Sequence, residues 1–130
     1  MTAPLIAAEG LCAGYGSLPV LLDVDLQVAG GEMVALLGSN GAGKTTTLMT
    51  LAGALPATRG SVALCGKPAG RGVARRVREG LGFLPEQRAV FMGLTVRDNL
   101  RLGRGNVDFA LEAFPDLEKR LSARRSDVRW

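Results

Sequence analysis

Eight residues, Gly38-Ser39-Asn40-Gly41-Ala42-Gly43-Lys44-Thr45, constrain this chain more than any other stretch. Their spacing is that of a phosphate-binding loop: Gly, four residues, then Gly-Lys-Thr. The flanking sequence supplies the context such a loop needs. Met33-Val34-Ala35-Leu36-Leu37 is an unbroken apolar run, which predicts a parallel strand buried on both faces. Thr45 to Ala54 carries Leu48, Met49, Leu51 and Ala52 without a proline, which predicts a helix.

The pattern assigns each residue type a task. Glycines allow a tight turn that aims successive N–H groups at phosphate oxygens, at a helix start where donors are unpaired and the dipole is positive. Lys44 then sets its ammonium between terminal phosphates, Thr45 offers its hydroxyl to a magnesium ion, and Thr46 adds a phosphate contact. Strand, loop and helix in that order define an α/β, P-loop nucleotide-binding fold.

Length and charge limit the rest. A chain of 130 residues supports a single core. Its apolar runs fall short of the roughly 20 residues that span a bilayer, and its start lacks a basic flank ahead of an apolar stretch, so a cytoplasmic protein is expected. Cys12 and Cys65 are far apart and the chain has no histidine, which points to reduced thiols rather than a metal site. The net charge of +4 collects at Arg75, Arg76 and Arg78 and at Lys119, Arg120, Arg124, Arg125 and Arg129. Without interleaved aromatics these clusters read as solvated or protein-docking faces, and nucleic acid is not an expected partner.

Residues 5 to 28 read as antiparallel strands, with Leu22, Val24, Leu26 and Val28 alternating with Asp23, Asp25 and Gln27 as one half-buried face. Between them Ala13-Gly14-Tyr15-Gly16-Ser17 forms a turn. Its tyrosine, the only one in the chain, suits either stacking on a base or partial burial in the turn. Ser61 to Gly66 reads as a short strand and turn. A brief helix follows with Val73, Ala74 and Val77 on its apolar side, its arginines on the wet side, and Gly80 ending it in the left-handed conformation. Leu81-Gly82-Phe83-Leu84 is a second buried strand, stopped by Pro85, that delivers Glu86-Gln87-Arg88 to a strand's carboxyl end. Thr95-Val96-Arg97-Asp98 caps a helix through Leu102. Asp108 to Phe114 and Leu117 to Leu121 read as helices separated by Pro115-Asp116.

From about Leu5 to about Arg120 these residues resemble the front half of an ABC-transporter ATP-binding subunit. The resemblance rests on Gly14-Tyr15-Gly16, Val20-Leu21-Leu22-Asp23-Val24, Gly31-Glu32, the stretch Ala35 to Thr46, and Gly60-Ser61-Val62, in the family's order. Pro85-Glu86 followed by Leu94 to Leu100 is similar to the branch serving branched-chain amino acid uptake, which carries glutamate where most of the family carries glutamine. The resemblance implies one partial ABC ATP-binding domain over residues 1 to 130: an incomplete α/β core, an antiparallel β subdomain, the start of a helical subdomain, and a divergent tail at 121 to 130.

It further implies a site for ATP and Mg2+ formed by Tyr15, stacked on adenine, Val20, and Gly38, Ser39, Asn40, Gly41, Ala42, Gly43, Lys44, Thr45 and Thr46. Lys44 and Glu86 carry the implied catalytic roles, and Thr45 and Glu86, with Gln87 as the substitute for Glu86, the metal contacts. A glutamate at that position can bind magnesium but repels the terminal phosphate when ionised. The implied partners are transmembrane permease subunits and a second ATP-binding subunit, with the protein peripheral on the inner membrane face.

Hydrolysis also requires groups that position water. No apolar run ending in Asp-Glu follows Lys44, and Val20-Leu21-Leu22-Asp23 precedes the loop as part of an alternating strand. The family's Leu-Ser-Gly-Gly-Gln-like signature and its switch histidine are also absent. Two expectations follow: a transport ATPase subunit by resemblance, or a truncated, non-hydrolytic nucleotide-binding fragment. In the family, further strands separate the two apolar runs, so the chain is expected to leave those runs without neighbours, prone to aggregation and poorly stable.

Overall fold

A computed structural model describes residues 3–86, 89–103 and 106–124. The chain forms two compact units, Met1–Phe83 and Leu84–Trp130. The first contains β1 (Ile6–Tyr15), β2 (Leu18–Val28), α1 (Lys44–Ala52), β3 (Arg59–Leu64), the two-residue β4 (Lys67–Pro68) and α2 (Val73–Arg78). The strands form one antiparallel sheet in the order β2-β1-β3-β4.

Alternation across residues 22 to 28 does produce a strand, but its register against β1 shifts at three places, and the face it buries changes near Asp23. Leu21 is buried while Leu22 is 71% exposed, and Val24 and Leu26 then pack toward the core. Asp23 causes the change by taking a positive φ of 55°, which inserts one extra residue into the strand's two-residue period. Gly10 makes the matching kink in β1 at φ 55°, so that Ala8, Leu11 and Ala13 share the buried face. The two kinks are bonded together: Gly10 N–H donates to Asp25 Oδ1 at 2.7 Å, and Asp23 N–H to Cys12 Sγ at 3.3 Å. The hairpin turn closes at Gly16 and Ser17, leaving Tyr15 as the last residue of β1 opposite Leu18.

The core of this unit is Ala8, Leu11, Ala13, Leu21 and Val62 from the sheet, with Leu51 from α1 laid on them. Helix α1 turns threonines rather than Leu48 inward: Thr46, Thr47 and Thr50 are buried and Leu48 is half exposed. The burial is tolerated because the hydroxyls bond inside the helix, Thr47 donating to the Gly43 carbonyl at 2.9 Å and Thr50 to the Thr46 carbonyl at 2.8 Å.

Neither unbroken apolar run forms the buried strand that its sequence predicts. Residues 33–37 and 81–84 lie outside the sheet, with Met33 95% and Leu37 90% exposed, and Leu84 exposed as well. A strand apolar on both faces is stable only with cover on both, and no described strand pairs with either run. Val34 and Leu36 instead border an apolar groove of about 170 Å³ shared with Ile6, Leu26, Leu48 and Phe83.

The unit after residue 83 contains α3 (Val96–Leu102), α4 (Val107–Ala113) and a 3-10 helix (Pro115–Arg120). Thr95 caps α3 as its sequence predicts, its hydroxyl oxygen accepting the Asp98 N–H at 3.1 Å. The Asn99 side chain accepts the Phe91 N–H at 2.8 Å and donates to the Phe91 and Thr95 carbonyls at 3.0 Å, fastening the preceding loop to α3. Pro115-Asp116 opens the 3-10 helix instead of separating two helices, since proline suits a first helical position where its missing N–H costs nothing.

Candidate functional site: the loop ahead of helix α1

Gly43 is the hinge between loop and helix. It caps α1 in the left-handed conformation at φ 88°, and a Cβ there would lie 2.9 Å from Leu21 Cδ2 and 3.5 Å from Val20 Cγ1. Only glycine allows the loop to turn that sharply while pressed against β2. Because Gly43 has no side chain, no side-chain cap satisfies the first turn of α1. The first intrahelical bond runs from Thr47 N–H to the Gly43 carbonyl at 2.8 Å. The N–H groups of Lys44, Thr45 and Thr46 thus precede the helix's own ladder and carry its positive end.

Lys44 spans the mouth of the loop. Its ammonium donates to the carbonyls of Gly38 at 2.8 Å and Ser39 at 2.7 Å, and Ala42 N–H closes the turn on the Ser39 carbonyl at 3.2 Å. Asn40 and Gly41 form its exposed crest, with Thr45 exposed beside them and Thr46 buried. The arrangement brings backbone N–H groups, an ammonium and an exposed hydroxyl together on one loop, a donor set that suits polyphosphate with magnesium. Among the described residues no group of His, Cys, Asp and Glu could hold a metal by itself, so a magnesium ion here would rely on Thr45, phosphate oxygens and water.

Val20 stands against Gly43, and Tyr15, at the end of the same hairpin, is 49% exposed with its hydroxyl 3.9 Å from Met49 Sδ on α1. The structure therefore gathers Tyr15, Val20 and Gly38 to Thr46 in one unit. The Met49 contact was not legible in the sequence, because it joins residues 34 apart. Glu86 is exposed and belongs to the other unit, and Gln87 lies outside the described residues.

The opposite end of α1 contradicts the expected wet arginine face. Arg76 turns inward while Val77 stays exposed. Its Nη1 donates to the carbonyls of Thr50 and Leu51, both at 2.6 Å, and its Nε to the Gly70 carbonyl at 2.8 Å. Burial lowers the Arg76 pKa, opposed by the Glu79 charge. Glu79 accepts the Gly70 N–H at 3.0 Å and pairs with Arg75 at 2.8 Å; the Gly70 bond first, then Arg75, holds its carboxyl below the usual range. Two of the three clustered arginines are thus engaged within the fold, which weakens the case for a nucleic-acid face.

The model of the ABC transporter family matches residues 21–129. The chain is 39% identical to the high-affinity branched-chain amino acid transport ATP-binding protein BraG of Pseudomonas aeruginosa, over 92% of this chain and 56% of the relative. It is 38% identical to the lipopolysaccharide export system ATP-binding protein LptB of Haemophilus influenzae, over 74% of this chain and 40% of the relative. A solved structure described as the ATP binding subunit of an ABC transporter superposes with a TM-score of 0.75 at 31% identity, covering 96% of this chain and 56% of that one. The chain spans between about a third and a little over half of the length of its curated relatives.

Proposed function

The chain belongs to the ABC transporter family, and from that premise we propose that it binds MgATP through the loop ahead of α1, as part of an ATP-binding subunit that serves transport. The observation that carries this reading is the glycine-capped start of α1 with the Lys44 ammonium across its mouth. Backbone N–H groups of Lys44, Thr45 and Thr46 would donate to phosphate oxygens, the Lys44 ammonium would leave the Gly38 and Ser39 carbonyls for phosphate, and Thr45 would hold magnesium. The half-exposed Tyr15 would stack on the base, with Val20 beside the loop as a further nucleotide contact. When bound, magnesium would supply charge neutralisation for the phosphates.

We further propose amino acid import, branched-chain or otherwise hydrophobic, as the process served. BraG matches 92% of the chain, against 74% for the lipopolysaccharide export protein, and Pro85-Glu86 favours the same branch. The proposed partners are transmembrane permease subunits and a second ATP-binding subunit, with the chain peripheral on the inner membrane face. No helix among the described residues is long and apolar enough to cross a membrane. A second reading, binding without turnover by this chain alone, is favoured by the absence of an apolar run ending in Asp-Glu after Lys44.

Titration of the full chain with ATP, with and without Mg2+, tests both readings. Wild type is expected to retain MgATP, and Lys44→Ala to bind it about 10- to 100-fold more weakly, the worth of a charged hydrogen-bonding group. No retention by folded wild type overturns the reading. Steady phosphate release that disappears in Lys44→Ala overturns binding without turnover.

A further inference from the structure

We propose that Arg76 is a positioning residue for nucleotide binding: by holding the C-terminal carbonyls of α1, it keeps the helix formed up to the loop at its other end. This inference rests on the MgATP reading above.

Helix α1 is only nine residues, about 13 Å long, and a helix of that length is marginal in water without tertiary support. Its first turn is the proposed phosphate cradle, so unfolding of the short helix removes the site. Backbone N–H groups of Gly53, Ala54 and Leu55 cap the Met49 and Thr50 carbonyls. The Leu51 carbonyl is taken by Arg76, whose same Nη1 doubles on Thr50. Thr50 and Leu51 are both buried with Arg76 in place, so loss of the guanidinium removes the one side-chain partner these carbonyls have among the described residues and opens their surroundings toward the adjoining cavity.

The approach is built into the backbone. Gly53 ends α1 at φ 81°, and a Cβ there would stand 3.1 Å from Arg76 Cδ and Nε. From the other side, Gly70 accepts Arg76 Nε while its N–H is held by Glu79, so the arm carrying the guanidinium is itself fixed. A cation at the negative end of the helix complements an anion at its positive end, and the two stabilise the same helix from opposite termini. Apparent affinity scales with the fraction of molecules in which the competent helix is formed, so loosening the C-terminal end weakens binding at the N-terminal one.

The test compares wild type, Arg76→Ala and Arg76→Lys as full chains, measuring the MgATP dissociation constant and amide exchange of residues 47–53 against residues 6–15. Arg76→Ala is expected to weaken MgATP about 5- to 30-fold, as the competent fraction falls. Exchange at 47–53 should accelerate while 6–15 stays protected. A few millimolar guanidinium chloride should restore at least about a third of the lost affinity, with sodium chloride of equal ionic strength ineffective. Arg76→Lys keeps a charge but loses the planar fork, and should bind more weakly than wild type with the same α1-selective exchange. Affinity of Arg76→Ala within twofold of wild type overturns the proposal, as does a loss that guanidinium leaves unchanged. Where Arg76→Ala does not fold, Arg76→Lys decides, and its identity with wild type in both readouts overturns the proposal. Wild type that fails to bind MgATP overturns the nucleotide reading alone, and the exchange comparison still decides whether Arg76 holds the helix.

Discussion

Two kinds of apolar sequence meet different ends in the first unit. Strands β1 and β2, whose apolar residues cover one face, find everything they need within residues 6–64: each other, β3, and α1 above them. The run at 33–37 is more hydrophobic, yet Met33 and Leu37 are almost fully exposed. Hydrophobicity stabilises only where a surface exists to receive it. A strand with one apolar face needs one layer of cover, which α1 supplies; a strand apolar on both faces needs two layers and strand neighbours as well.

Substitutions at matched leucines give the sharpest contrast. Leu11→Ala in the core should destabilise the first unit by about 2–5 kcal/mol in urea unfolding, the range for a buried leucine truncated in a packed core. Leu37→Ser should shift the same curve by less than about 0.5 kcal/mol. Equal effects would break the comparison by showing that residue 37 is packed in solution.

The helices after residue 84 extend the contrast. No residue of α3, α4 or the 3-10 helix is buried, and the starts of α3 and α4 rely on the side-chain caps of Thr95 and Asn106. Thr95→Ala should cost about 1 kcal/mol, as loss of a threonine N-cap does, read as faster amide exchange at Asp98 and Asn99. An unchanged rate would show that the cap is dispensable.

Glu79 gives the smallest effect, and its sign is fixed. Its folded pKa lies below the unfolded value, so its contribution is present above the unfolded pKa and is lost as pH falls through the folded one. Acid unfolding of wild type and Glu79→Gln should therefore differ at neutral pH and converge as the carboxylate titrates. A gap that persists to the lowest pH would assign the effect to packing.

The glycine-capped loop ahead of α1 was legible because its residue types and spacing are dictated by local backbone geometry, and Thr95 and Asp98 were legible for the same reason. The turn at Gly16, the helix start at Gly43 and the end of α2 followed from similar short-range signals. What escaped depended on partners distant in sequence. Asp23 flips the face on which Leu22 lies because Gly10 kinks opposite it, and neither residue alone announces a bulge. Arg76 looked like surface charge because the carbonyls it reaches are 25 and 26 residues away. The two apolar runs were read as strands buried on both faces and neither forms one, because such a strand depends on neighbouring strands that no local pattern announces.

The margins of the sheet bear on how copies of this chain meet. One margin, β4, is two residues long and ends in Pro68, which has no N–H to offer an incoming strand. The other, β2, is bent at Asp23, so a straight strand cannot follow it for its whole length. Templated growth from the ordered sheet is thereby discouraged at both sides, and the apolar runs at 33–37 and 81–84, which lie outside it with Met33, Leu37 and Leu84 exposed, are the accessible places for contact between copies.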